Sequence, residues 1–130
     1  SCGDRAVLRA MHFYGDNARV EKQAAALKAG DFETFKKYII ESGRSSYMYN
    51  QNVYSCKKAS EQPVSLALSL SEKLLDGCGA WRVHGGGFAG TIQAFVPLNK
   101  LDEYKDLMEK VFGSGSCYIL SVRPVGGVEL

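Results

Sequence analysis

Apolar residues recur near the start of the chain at three- and four-residue steps. Val7, Met11, Tyr14 and Ala18 make one line, and Leu8, Ala24 and Leu27 widen it. That period predicts an amphipathic helix over residues 4–29, a pattern that ordinarily turns its apolar stripe to a core. Gly15 interrupts it at about 1 kcal/mol relative to Ala. Gly30 suits the C-terminal cap and Asp31 the next N-cap. A second helix follows over residues 32–42, with Phe32, Phe35 and Ile39 in a stripe and Tyr38 beside it; Lys36, Lys37 and Glu41 read as its solvated face, and Gly43 as its stop. Residues 44–62 have no clean period. Their tyrosines, Tyr47, Tyr49 and Tyr54, read as an irregular helical turn or a loop half-buried on the core.

Pro63 fits the first turn of a third helix lined by Val64, Ala67, Leu68, Leu74 and Leu75, and Gly77 ends it. Then the period shortens to two. Trp81 and Val83 alternate with Arg82 and His84, and Ile92, Ala94 and Val96 share one face of the stretch 91–96, which Pro97 ends. Asn99 is placed to cap a fourth helix carrying Leu101, Tyr104, Met108, Val111 and Phe112, closed by Gly113. Residues 117–122 read as a last strand, apolar enough to be buried on both faces. Three helices, a strand, a glycine loop, a strand, a helix and a strand make an α+β class, with helices packed on a mostly antiparallel sheet, similar to part of a ferredoxin-like arrangement. No repeat or low-complexity linker divides residues 1–130, so the expectation is one domain.

Composition changes this picture mainly by exclusion. The chain is 45% hydrophobic and 23% charged, as expected of an ordinary globular domain rather than a disordered or disulfide-framed one. A net charge of +2 offers no electrostatic reason to expect nucleic acid or an anionic membrane as partner. No apolar run is long enough to span a bilayer and no signal peptide is visible. Cys2, Cys56, Cys78 and Cys117 form no C-x-x-C pair and sit at no zinc-finger spacing from a His. They read as free thiols, Cys78 and Cys117 as small buried hydrophobes, and imply a reducing, cytoplasmic compartment. The first residue is Ser1 rather than Met, which is expected of a processed product or a piece of a longer protein.

The conspicuous chemical feature is the run Gly85, Gly86, Gly87, Phe88, Ala89 and Gly90. Its letters satisfy G-x-G-x-x-G, but a dinucleotide-binding loop must lead from a strand into a helix, and here a strand follows. The phosphate loop G-x-x-x-x-G-K-[ST] fails as well, because Thr91 and no Lys follows Gly90. Two readings remain open. Successive glycines can present bare N–H groups to an anion, or they permit close packing or a tight hairpin. Arg82 could steady a phosphate beside this loop and His84 could hydrogen-bond a ligand, although a solvated Arg and a surface His are the default for residues seen singly. No other residues assemble a catalytic set: there is no G-x-S-x-G elbow, no cysteine beside a base and no metal-ligand cluster, and Asp76, Asp102, Glu103 and Asp106 read as helix-terminus or surface charges.

The stretch Gly79-Ala80-Trp81-Arg82-Val83-His84-Gly85-Gly86-Gly87-Phe88-Ala89-Gly90 resembles the third signature motif of the galactokinases, in the GHMP small-molecule kinase superfamily. There a short strand leads into threonine, three glycines, phenylalanine and two glycines. His84 stands here where threonine is usual, and Ala89 where glycine is. Upstream the order of matching letters continues, through Arg9-Ala10 and His12, Asn17, Arg19-Val20, Ala26-Leu27, Gly30-Asp31, Phe35, Ser42 and Ser45-Ser46. The resemblance spans nearly the whole chain and implies the C-terminal third of such an enzyme. The family transfers the γ-phosphoryl group of ATP, with Mg²⁺, to the anomeric hydroxyl of galactose in a cleft between two domains. Carried over, Gly85 to Gly90 would line that cleft near the phosphates, with Arg82 and His84 as candidates facing the substrate. The family's ATP loop, catalytic aspartate and sugar-binding segment match nothing here. The implied partner is therefore a missing N-terminal kinase domain, and the chain alone is expected to be inactive and to self-associate through the face left bare. The alternative is a non-catalytic small-molecule binding or sensor module of the same fold.

Overall fold

Local chemistry places the helices before any packing does. The computed structural model describes residues 3–86 and 90–121. Helix α1 runs over Gly3–Lys28. The turn at Gly30 (φ 70°) ends it, and Asp31 caps α2, Phe32–Ser45, by accepting the Thr34 backbone N–H at 3.1 Å and its hydroxyl at 2.6 Å. Those two bonds hold the Asp31 carboxyl below the usual carboxylate range. Helix α3, Pro63–Leu75, has its proline in the first turn. Strands β1, Ala80–Val83, and β2, Ile92–Phe95, pair antiparallel, with Ala80 opposite Phe95 and Val83 opposite Ile92. A short 3-10 turn, Leu98–Lys100, leads into α4, Leu101–Phe112.

These elements form an α+β arrangement of four helices on a small two-stranded antiparallel sheet. Side chains alternate across β1, so its two faces have different companions. Trp81 and Val83 face α3 and α4. Trp81 joins Leu75, Tyr104 and Met108 in one buried cluster, and Val83 joins Val53 and Val64 in another. Within the first cluster a polar pair is fully buried: Ser71 and Tyr104 share a hydroxyl–hydroxyl bond of 2.8 Å, and Ser71 also donates to Ala67 O. Arg82 lies on the other face, against α2.

Several expectations from the sequence change here. The line Val7, Met11, Tyr14 and Ala18 does not meet the rest of the chain; Tyr14 is 73% exposed. The buried residues of α1 are Gln23 and Ala26. The inward face also carries His12, Asp16 and Arg19, because α2 offers it hydroxyl groups rather than apolar side chains. Helix α2 runs through Gly43 instead of stopping there. A Cβ at Gly43 would lie 3.1 Å from Trp81 O and 3.2 Å from Arg82 Cα, so this glycine is where β1 crosses the helix closely. The helix then widens into a π-helical turn at Ser46–Asn50, which ends on Gln51 in the left-handed region (φ 55°). Asn99 caps nothing, since it sits inside the 3-10 turn.

Residues 117–121 are not a strand, and Val122 lies outside the described residues. Tyr118, Ile119 and Leu120 are exposed, Leu120 at 87%, because a strand needs a ladder partner and no described strand pairs with this segment. Cys78 and Cys117 are half-buried rather than buried, and burial raises the Cys117 thiol's pKa. Among the described residues no helix is long and apolar enough to cross a membrane.

Candidate functional site

The glycine run forms the turn of the β1–β2 hairpin. The ladder ends at Val83 and Ile92, and one further bond from His84 N to Thr91 O, 3.1 Å, closes the base of the loop. Gly87, Phe88 and Ala89 lie outside the described residues. Gly85 and Gly90 take left-handed backbone angles, φ 60° and 81°. A Cβ on Gly85, Gly86 or Gly90 would meet nothing within 4 Å. Close packing among the described residues is therefore not what Gly85, Gly86 and Gly90 serve.

The root of the loop is held by a residue that the sequence did not mark. Asn52 is only 2% exposed and donates from Nδ2 to Gly86 O at 3.2 Å. Its Oδ1 is buried with no partner among the described residues, an arrangement that costs about 1–3 kcal/mol for an orphaned acceptor. Asn52 and Gly90 share an open hollow of about 240 Å³ with Tyr54, Lys58 and Gln62. The wall of that hollow is tied together by Gln62, whose amide accepts from Ser55 N at 2.9 Å and donates to Ser55 O at 2.7 Å.

Arg82 and His84 reach different surroundings. His84 is exposed and its side chain makes no hydrogen bond among the described residues. Arg82 is half-buried, donates from Nε to Val83 O at 3.2 Å, and carries its charge toward His12 and Asp16 on α1.

Those two residues belong to a polar joint between α1 and α2. Ser45 Oγ lies 2.9 Å from His12 Nδ1, and Ser46 Oγ lies 3.4 Å from Nε2. Asp16 accepts from Ser42 at 2.7 Å and from Arg19 at 3.0 Å. Burial lowers the pKa of His12; Asp16 partly opposes this, and the charges of Arg19 and Arg82 reinforce it, so the ring favours its neutral form. For Asp16 burial pushes the carboxyl up, but the bonds from Ser42 and Arg19 and the nearby positive charge outweigh it, leaving the carboxyl below its ordinary value. The mix of His, Asp and Ser is not a nucleophile set. Both ring nitrogens face serine hydroxyls, and Ser42, Ser45 and Ser46 are buried away from any substrate. A signal for this joint does exist in the sequence: His12, Asp16, Arg19 and Gln23 are polar at helical steps. Asn52 has no such signal, because its partner lies 34 residues away.

Compared with known proteins, the chain matches no family model and no solved structure. It is 28% identical to human galactokinase over 122 residues, which covers 94% of this chain and 29% of that protein. The chain thus spans under a third of the length of this curated relative, and over that span it is similar to a galactokinase.

Proposed function

We propose that this chain is the C-terminal part of a galactokinase-type sugar kinase. In this reading Gly85 to Gly90 form one wall of a cleft in which the γ-phosphoryl group of ATP passes to the anomeric hydroxyl of galactose or a related sugar. The observation that carries it is the combination of two things: a glycine turn with left-handed Gly85 and Gly90, where an added Cβ would meet nothing among the described residues, and a similarity to human galactokinase that runs through almost the whole chain. The loop suits a phosphate group through bare N–H groups at its left-handed glycines. It does not suit a metal ion by itself. No Asp or Glu occurs between Asp76 and Asp102, so Mg²⁺ would be held by the phosphates and by residues outside this chain.

The partner in this reading is a larger N-terminal kinase domain of the same cytoplasmic protein. The bare sides of α1 support it. Val7, Met11 and Tyr14 on one flank, and Phe13, Val20 and Leu27 on the other, are all exposed. A helix that is apolar on both flanks outside its packed face belongs inside a larger body. The same surface makes the 130-residue chain prone to self-association, which sedimentation measures; a strict monomer at high concentration would count against a large missing interface.

Phosphoryl transfer needs groups around the phosphates on every side. The chain alone is therefore expected to turn over no galactose. Clear Mg-ATP-dependent phosphorylation of galactose by the purified chain would overturn this reading. An amide-shift titration with Mg-ATP, then galactose, tests the loop itself. Shifts at Gly85, Gly86, Gly90 and their flanks are the expected result, and their absence would reduce the loop to a plain hairpin turn.

A further inference from the structure

We propose that His12 is a proton-operated latch on α1: a neutral ring keeps the helix seated on α2, and a protonated ring lets it swing away while the rest of the fold stands. The contacts of α1 suit release. The helix is 26 residues long, yet among the described residues only Gln23 and Ala26 are buried on it, and Leu8 is half-buried. Ala26 is therefore its one buried apolar side chain, and apolar burial holds it weakly. What seats it is a row of polar contacts: His12 with Ser45 and Ser46, Asp16 with Ser42, and Gln23 donating to Tyr38 O at 3.4 Å. An element with few buried apolar contacts opens at lower cost than the core. The hinge lies at the far end, where left-handed Gly30 turns the chain and Asp31 N donates to Ala26 O at 2.9 Å. About 25 Å of helix separates that turn from His12, so the latch sits where an opening helix moves most.

The hydrogen bonds of the ring do not by themselves make it a latch. A neutral imidazole is one donor and one acceptor, and the two serine hydroxyls can match it. Protonation makes both nitrogens donors, and the hydroxyls can rotate to accept both. The added charge is what opens the joint. It is partly buried, and the charges that act on it are Asp16 and Arg19 on α1 itself and Arg82 on β1. From α2 and the π-helical turn the ring meets hydroxyls, and the turn, Ser46–Asn50, contains no charged residue. The charged residues of α2, Glu33, Lys36, Lys37, Glu41 and Arg44, line an open groove beside Gly77, Cys78 and Gly79 instead. Asp16 and Arg19 travel with α1, whereas Arg82 stays on β1. Opening therefore hydrates the imidazolium and takes it away from Arg82.

The sign follows from linkage. The closed joint holds the ring below the ordinary histidine value of 6.5, so opening takes up a proton. Opening is independent of pH above 6.5. It then grows as pH falls, by up to about tenfold per pH unit for one proton, and levels off below the closed-state value. What α1 meets on its outer flanks rests on the kinase reading above; the latch does not, and it is read without nucleotide or sugar.

The test is amide hydrogen exchange of the 130-residue chain from pH 7.5 to 5, each rate divided by that of an unstructured chain at the same pH. Protection of α1 is expected to hold down to about pH 6.5 and to fall below it, while the amides of α3 and α4 keep theirs. His12→Gln, which can still donate and accept but takes no proton, is expected to leave α1 protection level across the range. The chain has two histidines, His12 and His84, so ring resonances in the same samples follow the protonation of His12 directly. Level α1 protection in the unaltered chain would overturn the proposal. So would an equal fall in α3 and α4, which is global unfolding, or an undiminished fall in His12→Gln. Should His12→Gln fail to fold, the unaltered chain decides: α1 protection lost while the His12 ring remains neutral would overturn the latch, and loss in step with its protonation supports it.

Discussion

The two faces of β1 are held by opposite chemistry. On one, Trp81 packs with Leu75, Tyr104 and Met108, an apolar cluster whose one polar pair, Ser71 with Tyr104, is satisfied internally. On the other, Arg82 looks toward His12, Asp16 and the serines of α2, a joint made of hydrogen bonds. Apolar burial is non-directional and scales with area, so the first face tolerates small shifts but not lost volume. Hydrogen bonds demand distance and angle, so the second face fixes the register of α1 on α2 but depends on pH. A strand four residues long can serve both only because alternate side chains point to opposite sides.

Truncation of the apolar face should have the largest effect. Leu75 is fully buried, and Leu75→Ala is expected to destabilise the chain by about 2–5 kcal/mol in chemical denaturation. A loss under about 1 kcal/mol would mean that this cluster is not the core. The polar face comes next. Asp16→Ala removes the acceptor of buried Ser42 and of Arg19, and a loss of about 1–3 kcal/mol is expected. A neutral result would show that the joint is an accident of packing.

The faces should also separate by pH. The folded-state pKa of His12 lies below the ordinary histidine value of 6.5, so the unfolded chain takes up its proton first as pH falls. The joint therefore contributes fully above pH 6.5, and its contribution declines as pH drops from there toward the folded-state value. Asp16, lowered from 3.8, adds a second loss of stability below that value, of the same sign. Stability measured from pH 7 to 5 should slope downward, and His12→Gln should flatten the slope while Leu75→Ala leaves it unchanged. An equal slope in His12→Gln would remove the histidine from the explanation. The smallest effect belongs to neither face. Lys105→Ala breaks an i,i+4 pair with Glu109 (3.4 Å) on the surface of α4 and should cost no more than about 0.5 kcal/mol. A larger value would mean that the Lys105 side chain packs into the apolar cluster.

The fold was legible where local chemistry is self-sufficient. Asp31 caps, Pro63 opens a helix, and the shift from three-to-four spacing to two around Trp81 marks a hairpin, because each depends on neighbours in sequence. The glycine turn was legible for the same reason. Gly43 was misread because a glycine that ends a helix and one that admits a crossing strand look alike until the strand is in place. The outward turn of Val7, Met11 and Tyr14 was invisible because periodicity finds an apolar face but not what lies against it. In the candidate site, Gly85 and Gly90 could be named from composition; Asn52 could not.

The sequence by itself determined the α+β class, the position of each main helix and of the hairpin with its glycine turn, since these follow from propensity, capping and period over a few neighbouring residues. Tertiary structure alone decided which side of α1 faces inward, that residues 117–121 pair with no described strand, and that Asn52 holds Gly86. Those outcomes depend on groups far apart in the chain meeting at hydrogen-bond distance, and the choice among such meetings is made by the competition for buried partners, which no local pattern encodes.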